Sequence, residues 1–295
     1  MTGRSASMAA WEERGEYRTL GGTRVFTMDV APRGEETLEP LLVLHGFPTC
    51  SFDFHLVLDT LAEHRRVLLF DMLGYGLSAK PDRAYTIDAQ ADTAQAFVAQ
   101  AGVSRLALLS HDMGDTVGGE LLARAVEGRW RVEVTRRVVT NGSIYIEMAH
   151  LTAGQELLLS LPDARLPEDA GIDGASLAAS LAATFSPGAT VDGAELAAAW
   201  ELIAHDGGHL LLPRTIRYIE ERRRSQSRYT GAIEEHPSPL GIVWGTDDPI
   251  AVADMATRLG AARPDARLIL LDGVGHYPMI ESPVRFASAV AEALA

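Results

Sequence analysis

The chain has a single cysteine, Cys50, among 295 residues. No internal disulfide can form, and a reducing compartment suits it. Positive charge is scarce too: 26 Lys and Arg face 40 Asp and Glu, a net charge of −14. Phosphate backbones and anionic bilayers attract the opposite balance, so the composition argues against nucleic acid and membrane surfaces as partners. No apolar run reaches the roughly 20 residues that span a bilayer. Met1 to Ala10 is small and polar, without a signal-like apolar stretch. Residues 1–15 are therefore expected to be a flexible start, and the protein to be cytoplasmic.

What is present points to one large α/β domain with an insertion. Short β-branched or leucine-rich runs recur at Arg24–Val30, Leu41–Leu44, Val67–Phe70, Leu106–Leu109, Arg137–Thr140, Leu240–Trp244 and Leu268–Leu271. Most are continuous rather than alternating, the pattern of parallel strands buried on both faces. Helical patterns lie among them at Ile87–Ala101, Met113–Val126, Val252–Leu259 and Val284–Leu294. Strand alternating with helix predicts a mostly parallel, doubly wound sheet. The rhythm fails between residues 143 and 233, where Ala-rich helical stretches and Pro/Gly punctuation predict a helical lid over the C-terminal edge of the sheet. The core is then 16–142 plus 234–295. The basic run Arg222–Arg224 reads as a solvated helix face. His205-Asp206-Gly207-Gly208-His209 reads as a lid turn rather than a metal site, since two glycines spoil the helix that would bring the histidines together.

The chemistry centres on Ser110-His111-Asp112-Met113-Gly114. An apolar strand, a sharp turn and a helix make a nucleophile elbow, with small residues two positions either side of the tip. Only Asp112 fits that frame. A carboxylate there attacks carbon and forms an ester with the protein. It needs oxyanion donors, a base to activate water, and a group to orient the base. The base candidate is His276, in the Gly-rich loop after Leu268–Leu271. Its partner is Asp247 or Asp248, in the turn before Pro249, and Glu147 is a weaker substitute. Backbone N–H groups of Met113 and Phe47 are the expected oxyanion donors. Cys50 has no base placed for it. The Gly-punctuated turn Asp71–Ser78 lacks the P-loop lysine and the G-x-G-x-x-G spacing, and reads as structural. The expected chemistry uses neither metal nor cofactor; its partners are a small apolar substrate and water.

These motifs resemble the α/β-hydrolase superfamily, in the branch of epoxide hydrolases and haloalkane dehalogenases. The residues that carry the likeness are His45-Gly46-Phe47-Pro48, Asp71 to Ser78 with Lys80-Pro81, His111 to Gly114, Trp244 to Pro249 and Gly275-His276-Tyr277-Pro278. A closer likeness, through Leu109 to Asp115, Asn141-Gly142-Ser143 and Arg217-Tyr218-Ile219, is to the family of the mesoderm-specific transcript protein and its bacterial relatives. The resemblance implies that the triad acid is the Asp directly before Pro, Asp248. It also implies lid tyrosines as acids for an epoxide oxygen, with Tyr218 the better aligned, Tyr145 a second candidate and Tyr229 nearby. Dehalogenases of the branch usually hold the halide with an Asn in the His-Gly loop and a Trp after the nucleophile. Phe47 and Met113 stand there instead, and neither side chain can donate a hydrogen bond. Epoxide opening is thus the leading expectation. The alternatives are haloalkane dehalogenation by the same triad and a non-catalytic binding protein on the same fold.

Overall fold

A computed structural model of the chain describes residues 5–295. Eight strands form one sheet: β1 (Glu16–Leu20), β2 (Thr23–Val30), β3 (Leu41–Leu44), β4 (Val67–Phe70), β5 (Arg105–His111), β6 (Glu133–Thr140), β7 (Leu240–Gly245) and β8 (Arg267–Leu271). Their spatial order is β1-β2-β4-β3-β5-β6-β7-β8. Strand β2 runs antiparallel to both its neighbours, and every pairing from β4 to β8 is parallel. Strands β3, β4 and β7 are buried along their whole length, as continuous apolar runs require when both faces are covered.

The first two helices are α1 (Ala6–Glu13) and α2 (Leu58–Leu61). The core helices α3 (Ile87–Gln100) and α4 (Met113–Val126) follow β4 and β5. Between β6 and β7 lie α5 (Ala153–Ser160), α6 (Gly174–Ala182), α7 (Gly193–Ala204), α8 (Leu212–Thr215) and α9 (Tyr218–Glu235), with no strand among them. The core then closes with α10 (Ala253–Ala262), α11 (Pro278–Glu281) and α12 (Pro283–Ala293). The insertion lies against the core through α9 and α4. At Gly119 any Cβ would fall 2.7 Å from the Tyr229 carbonyl, so only glycine admits that approach.

Three features depart from the sequence pattern. Residues 1–15 are not a loose start throughout. Residues 1–4 lie outside the described residues, but α1 is a helix capped by the Ser5 side chain, with Met8 and Trp11 buried. Trp11 sits edge-on to Phe52, 5.4 Å between ring centres, and the Ser5 N–H donates to Glu201 in the lid. Two large apolar side chains in eight residues suffice to dock so short a helix. Strand β8 is an edge strand, with Leu268 and Leu270 exposed at 38% and 44%, rather than buried on both faces. Strand β1 was invisible in the sequence because Glu16-Tyr17-Arg18-Thr19-Leu20 carries hardly any apolar signal. Its pairing with β2 supplies the order.

Candidate active site

The register brings the chemistry to one edge. His111 pairs with Thr140 and Gly245 with Leu271, so β5 ends with β6 and β7 with β8, the latter pair two residues further on at the same C-terminal edge. Asp112 follows β5 at φ 51° and ψ −117°, a backbone conformation that a non-glycine residue rarely holds. Its neighbours must be small: a Cβ on Gly114 would lie 2.5 Å from the Leu44 carbonyl, and one on Gly46 would lie 2.6 Å from the Asp112 Cβ. These clashes are the physical content of the small-residue frame, and the strain is the kind found at functional turns. The carboxylate that results is 3% exposed.

The Phe47 N–H donates to Asp112 Oδ2 at 2.8 Å. Burial raises the Asp112 carboxyl above its ordinary value, against the pull of His276 and of the Phe47 and Met113 N–H groups. The loop that presents Phe47 is held by His45. Its Nε2 accepts the Met72 N–H at 2.9 Å, while Nδ1 lies 2.8 Å from the Gly46 carbonyl, so the ring is neutral with its proton on Nδ1.

His276 stands in the loop after β8, 2% exposed. Its Nδ1 donates to Asp248 Oδ2 at 2.7 Å. Burial alone would strip its proton, but the Asp248 carboxylate overrides that, with help from Asp112, and the ring is pushed up to about 9. Asp248 also accepts the Asn141 amide at 2.8 Å on Oδ2, and the Ile250 and Ala251 N–H groups at 2.8 and 2.9 Å on Oδ1. Four donors therefore hold this carboxylate in place against His276. Asp247 is exposed; its carboxylate accepts the neighbouring Thr246 hydroxyl and its N–H donates to the Val274 carbonyl, neither contact reaching the His276 ring. Glu147 is exposed on the lid surface, tied to Gln226 and Arg258. His276 is anchored on both sides: its N–H donates to the Thr184 carbonyl of the lid, and its carbonyl accepts from His111 Nε2 at 2.8 Å. Cys50 is buried, and burial with Asp71 and Asp53 nearby pushes its thiol well up, so it is inert.

The tyrosines divide. Tyr218 is 2% exposed, with its ring 5.8 Å from that of Phe47. Burial and then the Asp112 charge keep its phenol well above the ordinary value. Tyr145 is turned elsewhere: its hydroxyl donates to Glu234 at 2.6 Å and Arg258 covers its ring. Its proton is engaged, so a role as leaving-group acid does not follow from its position. Tyr75 falls in the turn read from the sequence as structural, not among the candidate tyrosines, yet its buried hydroxyl lies 3.3 Å from both the Met113 sulfur and the Thr215 carbonyl.

Other residues at the site also escaped the sequence. Arg222 is not a solvated residue. It is fully buried, with Nε donating to Thr116 at 2.6 Å and Nη1 to the Ser143 carbonyl, while Arg223 and Arg224 are exposed. Asp115 is buried behind the elbow and accepts the Ser110 hydroxyl. Burial pushes its carboxyl well up. Asp53 accepts the Thr49 hydroxyl at 2.6 Å, and burial pushes it up to about 8. Asn141 could have been found, since it directly follows a strand at the catalytic edge.

A cavity of about 80 Å³ reaches this site at Phe47, His276 and Tyr277. Its walls are Leu158, Leu181 and Ile250 among others, and no Asp, Glu, Lys or Arg lines it.

A parallel sheet, an elbow after its central strand, and an acid and a histidine after the last two define a class. The chain belongs to the alpha/beta hydrolase family, whose model matches residues 41–289. It is 35% identical to the hydrolase LipZ of Mycobacterium tuberculosis over 289 residues, 97% of each chain. It is 30% identical to the human mesoderm-specific transcript homolog protein over 302 residues, covering 97% of this chain and 87% of that one. Among solved structures, Cfl2 from Burkholderia cenocepacia superposes with a TM-score of 0.77 at 20% identity, over 94% of each chain. A bromoperoxidase from Bacillus anthracis gives 0.76 at 18% identity, over 95% of this chain and 99% of that one. At those identities the structures share the fold and carry nothing further. The protein is a hydrolase of this family. No helix among the described residues is long and apolar enough to cross a membrane.

Proposed function

We propose that the protein opens epoxides to diols through a covalent ester at Asp112. The observation that carries this reading is the Asp112 carboxylate itself, with Oδ2 against the Phe47 N–H at 2.8 Å. In an ester at Oδ1, Oδ2 is the carbonyl oxygen, and it already sits among the donors that an oxyanion needs. Asp112 Oδ1 attacks a ring carbon, the ring C–O bond breaks, and the alkoxide takes a proton from Tyr218. Water, deprotonated by His276, then attacks the ester carbon. The tetrahedral oxyanion rests on the Phe47 and Met113 N–H groups; its collapse breaks the bond to the alkyl oxygen, which takes the proton left on the added hydroxyl, so the diol departs and the Asp112 carboxylate is restored.

The proton count closes within the site. His276 is protonated at neutral pH, since it ionises at about 9. It replaces the proton that Tyr218 gave away and so becomes the neutral base for the second step. Loss of the Asp112 charge in the ester favours that exchange, because this charge helps to hold the proton on the ring. A departing halide would take no proton, and the side chains beside the nucleophile, Phe47 and Met113, offer it no donor. Apart from His276 the lining carries no Asp, Glu, Lys or Arg and is mostly apolar, which supports a small, neutral, apolar epoxide.

The test is product analysis with the wild-type protein, using neutral aliphatic and aryl epoxides beside haloalkanes of matched size. Diol from the epoxides is the expected result. Halide release without diol would make the protein a dehalogenase, and no turnover of either set would favour a binding role.

A further inference from the structure

Helix α9 carries a cation in a place where cations are rarely left. Tyr218 and Arg222 are four residues apart, so they project from one face of the helix. Both are buried, at 2% and 0% exposure. Two flanks of the nucleophile hold the Arg222 guanidinium: Thr116, one turn into α4, and the Ser143 carbonyl after β6. Its Nη2 is buried without a partner, and no carboxylate forms an ion pair with it among the described residues. A buried guanidinium so placed is costly unless a negative charge faces it. The groups whose charges act on Arg222 are Asp115, Tyr218, Asp112 and Tyr229. The foremost charges acting on Tyr218 are those of Asp112, Tyr75, Arg222 and Tyr277, of which Arg222 is the cation. Burial pushes the Asp115 carboxyl well up, against the pull of the Ser110 hydroxyl and of Arg222. Asp112 loses its charge once the ester forms.

We propose that Arg222 is a positioning residue for Tyr218: its buried guanidinium stabilises the phenolate that Tyr218 becomes on giving its proton to the substrate oxygen. The inference rests on the epoxide reading of the site. The step breaks the phenol O–H bond and forms an O–H bond on the alkoxide, with no change of oxidation state. The negative charge passes from the departing oxygen to a phenolate on the same helix face as a fixed cation, a pairing that exists only once the ring has opened.

The test needs no substrate. A tetrafluorotyrosine, whose phenol is far more acidic than tyrosine's, is placed at position 218 by amber suppression. Its phenolate absorbance is titrated with Arg222, Arg222→Lys, Arg222→Gln or Arg222→Met in the same chain. The neutral variants are expected to raise the midpoint by about one pH unit or more, a tenfold loss of acidity, and Arg222→Lys to restore most of it. Arg222→Gln, which keeps a hydrogen-bonding side chain, stands in should Arg222→Met fail to fold. A midpoint that moves by less than about 0.3 pH unit, or that moves equally in the Lys and neutral variants, would overturn the proposal and leave Arg222 a structural clasp. Turnover of haloalkanes alone would remove the epoxide reading without touching the titration, so the two failures are distinct.

Discussion

Asp112 Oδ2 accepts the Phe47 N–H at 2.8 Å, so the nucleophile already occupies with one oxygen the hole that will later hold the oxyanion. A serine at an elbow leaves that hole for the substrate's carbonyl. A carboxylate fills it with its own, and the hole serves the second chemical step rather than the first.

Asp112→Asn removes the nucleophile while keeping shape and tolerance of positive φ. Turnover should fall by about 10⁴-fold or more, with no ester detectable by mass spectrometry. The same variant should melt at a higher temperature than wild type at pH 7. The folded carboxyl is raised by burial, so above the unfolded value its ionisation costs stability that the neutral amide does not. Equal or lower melting, read by calorimetry, would show that the buried charge is not strained.

Asp248→Asn keeps the volume but loses the carboxylate that sets the His276 tautomer. Steady-state turnover should drop by about 10³ to 10⁴-fold. Single-turnover kinetics should place the loss in ester hydrolysis and leave ester formation the faster step.

Tyr218→Phe should slow ester formation from an epoxide by about 10² to 10⁴-fold, the usual worth of a general acid. Tyr145→Phe should change it little, since the Tyr145 hydroxyl is spent on Glu234. Equal effects in stopped-flow measurements would put both tyrosines at the substrate.

Activity should follow a bell in pH. The acid limb belongs to Asp112, which must be ionised to attack and is raised above the ordinary carboxyl range. The alkaline limb belongs to His276 near 9, because the proton it carries replaces the one given to the alkoxide. Steady-state turnover that climbs through pH 9 would show that the His276 proton is not what resets Tyr218.

How much of this was legible beforehand depended on whether the signal was local. The elbow frame, the Gly-rich loop at His276 and the Asp-Pro turn at Asp248 are each set by neighbours in sequence, and their residues meet in space. The boundaries of α4 were readable because a strand-ending turn and an apolar helix face adjoin. Arg222 was hidden because Arg222-Arg223-Arg224 looks like a solvated run. Only the docking of α9 on α4 decides which of the three turns inward. Tyr75, in a loop, and Asp53, in a short 3-10 turn, were hidden likewise, because contacts distant in sequence set the course of both segments. Tyr145 follows a strand at the catalytic edge, but its rotamer is fixed by Glu234, 89 residues away.

The ester at Asp112 is tested most directly by intact-protein and peptide mass spectrometry of a His276→Gln variant held with an epoxide that the wild type turns over. Without its base the variant should stop at the ester, gaining the mass of the whole epoxide on the peptide that contains Asp112. Undiminished turnover with no added mass, or an adduct on any other residue, would contradict the mechanism.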